Sequence, residues 1–126
     1  MALYYLVEVL NFMEANKEMI KGSTEILVLS MLNREPMYGY QMIKEIEKES
    51  RGIFTFKEGT LYPILHSLEA KDMVESYWCG KEGGRQRKYY RLTAKGKSEL
   101  EKKQKEWVRF RSAVDKILTG EVFAWT

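Results

Sequence analysis

Arg85, Arg87, Lys88 and Arg91 place four cations within seven residues, with no acid among them and with Tyr89 and Tyr90 interleaved. Such a run neutralises phosphates, and tyrosines between the cations add flat apolar surface, so the chemistry on offer is binding of a polyanion. A merely solvated surface strand is the other reading of the same run. Thr60, Tyr62, Pro63, His66 and Ser67 form a second group of hydroxyls, an imidazole and a rigid ring, with no long acidic side chain among them. Hydroxyl and imidazole donors reach base edges or phosphate oxygens when a helix presents them on one face.

Catalysis and metal binding find little material. His66 is the one histidine and Cys79 the one cysteine. An internal disulfide is therefore impossible, a tetrahedral zinc site lacks ligands, and neither a metal nor a cofactor is expected. His66 has no acid or thiol at ligand spacing and reads as a surface or binding residue. Cys79 is either an inert thiol or a redox sensor without a resolving partner. No paired carboxylates, no glycine-rich phosphate loop after a strand and no nucleophile with a base partner can be placed, so the chain does not read as an enzyme.

With 126 residues, 44% of them hydrophobic and 31% charged, the chain has material for one core, or one domain with an appendage. The composition excludes disordered, collagen-like and membrane classes and suits a reducing cytoplasm. The formal net charge of +3 hides a strong asymmetry. Residues 1–78 hold 8 basic and 12 acidic side chains, whereas residues 79–111 hold 12 basic and 4 acidic, a net of +8.

The elements that must position these groups can be read from apolar spacing. Residues 1–20 open with a helix that has Leu3, Leu6, Val7, Leu10 and Met13 on one face and Tyr5, Val9 and Phe12 on another. Two apolar faces ask for two partners, the domain body and a second subunit, unless Met13 is the natural start and the first twelve residues are an inert extension. Ser23 is a candidate N-cap for a helix through Ile26, Leu27, Leu29, Met31 and Leu32, ending before Glu35-Pro36. A second helix runs from Tyr38 to about Arg51 with Tyr38, Met42, Ile43 and Ile46 inward, stopped by Gly52. A third starts between Glu58 and Thr60, with Leu61, Ile64, Leu65 and Leu68 as its buried stripe and Pro63 best tolerated in the first turn. Val74–Trp78 and Lys88–Leu92 read as a two-stranded hairpin around the glycine-rich segment Cys79–Gln86. Thr93 caps a last helix from Ala94 to about Leu118, ended by Gly120. Leu100, Trp107 and Val114 recur every seven residues along it, with Phe110 and Ile117 three residues after the last two, which implies a partner helix. Residues 119–126, with Val122, Phe123 and Trp125, form a tail.

Three short helices, a hairpin and a long helix make a mainly α chain in the order of a winged helix-turn-helix, with residues 21–93 as the DNA-binding domain and 94–118 as a dimerisation helix. In such a fold the third helix enters the major groove and the hairpin brings cations to phosphates. Tyr38-Gly39-Tyr40, Glu58-Gly59-Thr60-Leu61-Tyr62-Pro63 with Leu65-His66-Ser67-Leu68-Glu69, and Gly84-Arg85 followed by Lys88-Tyr89-Tyr90-Arg91-Leu92-Thr93 and Gly96 resemble the PadR family of transcriptional regulators, from about Glu18 to Leu118. The resemblance implies a homodimer held by the C-terminal and N-terminal helices, binding a palindromic double-stranded DNA operator and usually repressing. It places Lys57, Thr60, Tyr62, Pro63 and His66 on the recognition helix, Tyr38 at the start of its supporting helix, and Arg85, Arg87 and Lys88 on the wing. A single C-terminal helix implies the short subfamily.

Trp107 reads as plain core of an apolar repeat. The stretch from Glu106-Trp107 to Val114-Asp115-Lys116-Ile117 is also similar to the multidrug-sensing branch of that family, where planar aromatic effectors stack on tryptophans between subunits. The tryptophan stands one turn further from Val-Asp-Lys-Ile here, so Phe110 competes for the stacking position. The rival from another class is a winged-helix interaction module that joins a protein complex without reading DNA, against which the net +8 segment speaks.

Overall fold

The computed structural model describes residues 17–121 together with Leu3. The expected N-terminal helix faces and the tail with Phe123 and Trp125 lie outside the described residues. Helix α1 spans Lys17–Arg34, strand β1 Met37–Tyr38, α2 Gly39–Glu49, α3 Glu58–Ala70, β2 Val74–Cys79, β3 Arg87–Leu92 and α4 Ala94–Thr119. The strands form one antiparallel sheet in the order β1-β3-β2. This is the winged helix-turn-helix, mainly α with a small sheet and a long terminal helix, that the order of elements predicts.

The core lies where α1, α2, α3 and one sheet face meet. Val28, Leu29 and Leu32 of α1, Met42 and Ile46 of α2, Leu61, Leu65 and Leu68 of α3, Val74, Tyr90 and Leu100 are all buried, with Met37 and Phe56 closing its ends. Three of the four expected positions on α3 are fully buried, and Ile64 packs against the edge. On α1 the buried set includes Val28, while Ile26 and Leu27 are only partly covered.

Four sequence expectations are corrected. Ser23 is not an N-cap, because α1 begins at Lys17 and runs through it; helix propagation from upstream overrides a local capping preference and the poor propensity of Gly22. Tyr38 belongs to β1 and serves as the N-cap of α2, without a side-chain cap bond, so α2 starts at Gly39, and Tyr38 is only partly buried rather than inward with Met42, Ile43 and Ile46. The sheet has three strands rather than two, since Met37 and Tyr38 pair with Tyr90 and Tyr89. A strand of two residues is too short to produce an alternating pattern. Finally, Pro63 is the sixth residue of α3, beyond the first turn. Its missing N–H would have reached the carbonyl of Gly59, an exposed residue whose carbonyl can turn to water instead.

Other boundaries hold closely. The carbonyl of Lys57 accepts from the backbone N–H of both Thr60 and Leu61 at 3.0 Å, fixing the start of α3. Gly52, at φ +83°, donates to the Glu47 carbonyl at 2.8 Å behind α2. The Thr93 hydroxyl accepts from the Gly96 N–H at 3.0 Å and donates to the Asp72 carbonyl at 2.6 Å, so one side chain caps α4 and ties it to the turn before β2. A Cβ on Gly96 would lie 2.0 Å from the Met73 carbonyl oxygen, a backbone clash that only glycine avoids.

Past Leu100, no described residue of α4 is buried. Phe110 is 57% exposed, Ile117 84% and Leu118 76%, while Trp107 and Val114 are half-buried. The rod therefore extends beyond the core with apolar side chains outward. Glu25 of α1 steadies its base, meeting Lys103 at 3.8 Å and Lys71, at the end of α3, at 3.3 Å.

Candidate nucleic-acid interface

Sheet pairing and helix packing create one cleft. Its register sets Tyr38, Tyr89 and Tyr77 in one row across three strands and Met37, Tyr90 and Ser76 in the next. Alternation sends the second row inward, where Tyr90 is buried, and the first row to the outer face. The Ser76 hydroxyl donates to the Glu69 carboxylate at 2.5 Å, locking the sheet onto the far end of α3. Burial, then the Glu69 charge, then Tyr62 raise the Tyr90 phenol above its usual pKa.

On the outer face the rings form a chain. Tyr38 meets Tyr89 edge-on at 5.4 Å, and Tyr89 stacks on Tyr77 at 5.8 Å. The Arg87 guanidinium lies 4.5 Å from the Tyr38 ring centre, and that of Arg91 lies 4.9 Å from Tyr77. Arg91 also pairs with Glu75, its cross-strand neighbour, at 2.6 Å. The cations are thus not equivalent. Arg91 is neutralised within the sheet, whereas no carboxylate among the described residues pairs with Arg85, Arg87 or Lys88.

Tyr38, Gly39, Tyr40, Glu58, Tyr62, Trp78 and the run Arg85, Gln86, Arg87, Lys88 line a cleft of about 570 Å³. It opens between the first turns of α2 and α3 and the wing formed by β2, β3 and their connection. Five of the predicted DNA-contact residues, Tyr38, Tyr62, Arg85, Arg87 and Lys88, come together there. Lys57, Thr60, Pro63 and His66 do not line it; they are exposed along α3 and just before it. The exposed positions Gly59, Pro63, His66 and Ala70 follow helical spacing and give α3 one free face, with His66 centred 6.5 Å from Tyr62. Glu58, Trp78 and Gln86 are cleft residues that sequence reasoning missed, and Tyr40 joins them from the Tyr38-Gly39-Tyr40 motif. Trp78 carried a signal, a large aromatic at the open end of a strand, but only the hairpin register shows which side it takes.

Gly39 explains how α2 and α3 come so close. A Cβ there would lie 2.8 Å from the Tyr62 hydroxyl oxygen and 3.0 Å from its ring carbon, so the Tyr62 ring rests on bare backbone. The arrangement can do one thing chemically. It offers a free helix face with hydroxyl and imidazole donors beside three cations that pair with no carboxylate among the described residues, which suits groove edges flanked by phosphates.

The expected effector residues lie elsewhere. Trp107 and Phe110 are 6.0 Å apart at 32° on α4 and line a shallow pocket of about 230 Å³ with Ser23, Ile26, Lys103 and Glu106. Among the described residues no three His, Cys, Asp or Glu side chains gather as metal ligands, and no helix is long and apolar enough to cross a membrane.

Comparison with known proteins agrees with this geometry. A transcriptional regulator from Clostridium thermocellum superposes with a TM-score of 0.74 at 30% identity, over 81% of this chain and 99% of that one. A PadR-like transcriptional regulator from Bacillus cereus gives 0.72 at 31% identity, over 82% and 99%. The transcriptional regulator YqjI of Escherichia coli is 31% identical over 85 residues, which cover 68% of this chain but 39% of that longer protein. The profile of the transcriptional regulator PadR-like family matches residues 28–102, from the core of α1 to the base of α4, and the chain belongs to that family of transcriptional regulators.

Proposed function

We propose that this regulator is a cytoplasmic homodimeric repressor that binds a palindromic operator with one α3 per subunit in successive major grooves. The half-sites would then lie about one helical turn, roughly 34 Å, apart. Thr60, Tyr62, Pro63 and His66 face the base edges in this reading, with Lys57, Arg85, Arg87 and Lys88 on the flanking phosphates and Tyr38 at the interface beneath Arg87, whose guanidinium lies 4.5 Å from its ring. The observation that carries it is the cleft itself, where unpaired wing cations and the start of α3 face a common space. Against an interaction module that does not read DNA stands the set of three wing cations without carboxylate partners among the described residues, placed beside the start of α3.

The outward apolar residues of α4, Phe110, Ile117 and Leu118, support a helix-to-helix dimer built on residues 94–118. The neighbouring rings of Trp107 and Phe110 support a flat aromatic effector bound near that interface, which would relieve repression by changing the distance between the two α3 helices. Selection from a random duplex pool tests the reading. Enrichment of an inverted repeat with centres about 10 base pairs apart is the expected result; recovery of no motif, or of a single half-site by a monomer, contradicts it.

A further inference from the structure

Trp78 belongs neither to the core nor to the tyrosine row. It is 66% exposed and sits opposite Lys88 in the register. Alternation along β2 puts it on the same sheet face as Val74 and Ser76, the face that covers the core at Val74 and Tyr90. The hairpin carries that face past the core, so at Trp78 it overlooks the cleft shared with Tyr62 and Glu58 instead. A single exposed indole is ordinary on a protein surface. This one lines the same cleft as Arg85, Arg87 and Lys88, which pair with no carboxylate among the described residues.

We propose that Trp78 is a DNA contact whose indole packs on a deoxyribose of the strand whose phosphates meet the wing cations. The inference rests on the DNA-binding reading of the cleft. A DNA strand alternates anionic phosphates with apolar sugar faces, carrying one charge about every 3.4 Å of axis. A flat apolar ring lining the same cleft as these cations suits that alternation better than it suits a purely apolar or a purely acidic partner surface. Glu58 adds direction. Its carboxylate lines the cleft at the first residue of α3 and disfavours phosphate there, which leaves the phosphates within the cleft to Arg85, Arg87 and Lys88 and a sugar against the ring, while Lys57 lies outside the cleft.

Neutralising phosphates makes affinity fall with salt, whereas an apolar sugar contact displaces no condensed counterion. With the full chain and its selected operator, Trp78→Ala is expected to weaken binding about tenfold at every salt concentration, on operator and unrelated duplex alike, with an unchanged salt slope. Trp78→Phe recovers most of the loss, and the melting temperature stays near wild type because the ring is mostly exposed. In a Trp107→Phe, Trp125→Phe protein, the emission of the remaining indole shifts as DNA saturates. Wild-type affinity in Trp78→Ala overturns the inference, as does a reduced salt slope or an indole emission indifferent to DNA. A wild-type protein that binds no duplex overturns the DNA-binding reading as well, so the two failures are distinguishable.

Discussion

The Tyr62 ring lies directly on the backbone of Gly39, with its hydroxyl oxygen 2.8 Å from where a Cβ would stand. The first residue of α2 and the second turn of α3 are thereby set against each other at the point where both face the cleft. The atom in the way is the far end of a rotatable side chain, so Gly39→Ala should displace Tyr62 without unfolding the domain. We expect a loss of about 1 kcal/mol or less in urea unfolding, against a roughly tenfold loss of operator affinity. In a Tyr62→Ala background the glycine substitution should cost no further affinity. Additive losses would contradict the coupling.

Arg87 over the Tyr38 ring makes a second pair in which one residue serves another. The tyrosine holds the guanidinium over the cleft, an exposed cation–π contact of about 0.5–1 kcal/mol. Tyr38→Phe should keep wild-type affinity at low salt if its role is to hold Arg87, and Tyr38→Leu should lose about threefold. Neither should matter once Arg87 is alanine. A full loss in Tyr38→Phe would instead make the hydroxyl itself a phosphate contact.

Tyr90 links stability to pH. Burial, with Glu69 and Tyr62 nearby, raises its phenol pKa in the folded chain above the ordinary 10.0. The neutral phenol is the form the fold favours, so its contribution is complete below about pH 10 and is lost as pH rises through the raised value. Tyr90→Phe should therefore show a shallower decline in urea midpoint on the alkaline side, above about pH 10, than the wild type. Parallel declines would remove Tyr90 from the account of alkaline unfolding.

Trp107 and Phe110 give the effector proposal its test. Planar aromatic cations titrated into the protein should quench indole emission and lower operator affinity together. Trp107→Phe should abolish the quenching, and Phe110→Ala should weaken the ligand about tenfold or less. A broad panel without quenching, or quenching with no change in operator affinity, would leave repression uncontrolled from this position.

Legibility in the sequence followed the length of the signal. Leu61, Leu65 and Leu68 repeat over two turns, and α3 begins where that stripe and Lys57-Glu58 place it. Thr93 and Gly120 mark both ends of α4 because a cap and a left-handed glycine act locally. Strand β1 was hidden, since two residues carry no period and their pairing depends on Tyr89 and Tyr90 half a chain away. The cleft was half legible. Charge singled out Arg85, Arg87 and Lys88, yet only register separates them from Arg91, which Glu75 neutralises across the strand. Trp78 and Gly39 needed the three-dimensional approach of the wing and α2 to α3, which no local pattern encodes.

The central claim is that α3 reads sequence while the wing cations supply charge. Operator and unrelated duplex binding should be measured across salt for wild type, Tyr62→Ala and Arg87→Ala. Tyr62→Ala should lower operator affinity toward that of unrelated DNA with its salt slope intact, a loss of about 1–3 kcal/mol. Arg87→Ala should weaken both duplexes equally and reduce the slope by about one counterion. Wild-type affinity and slope in both variants would contradict the account.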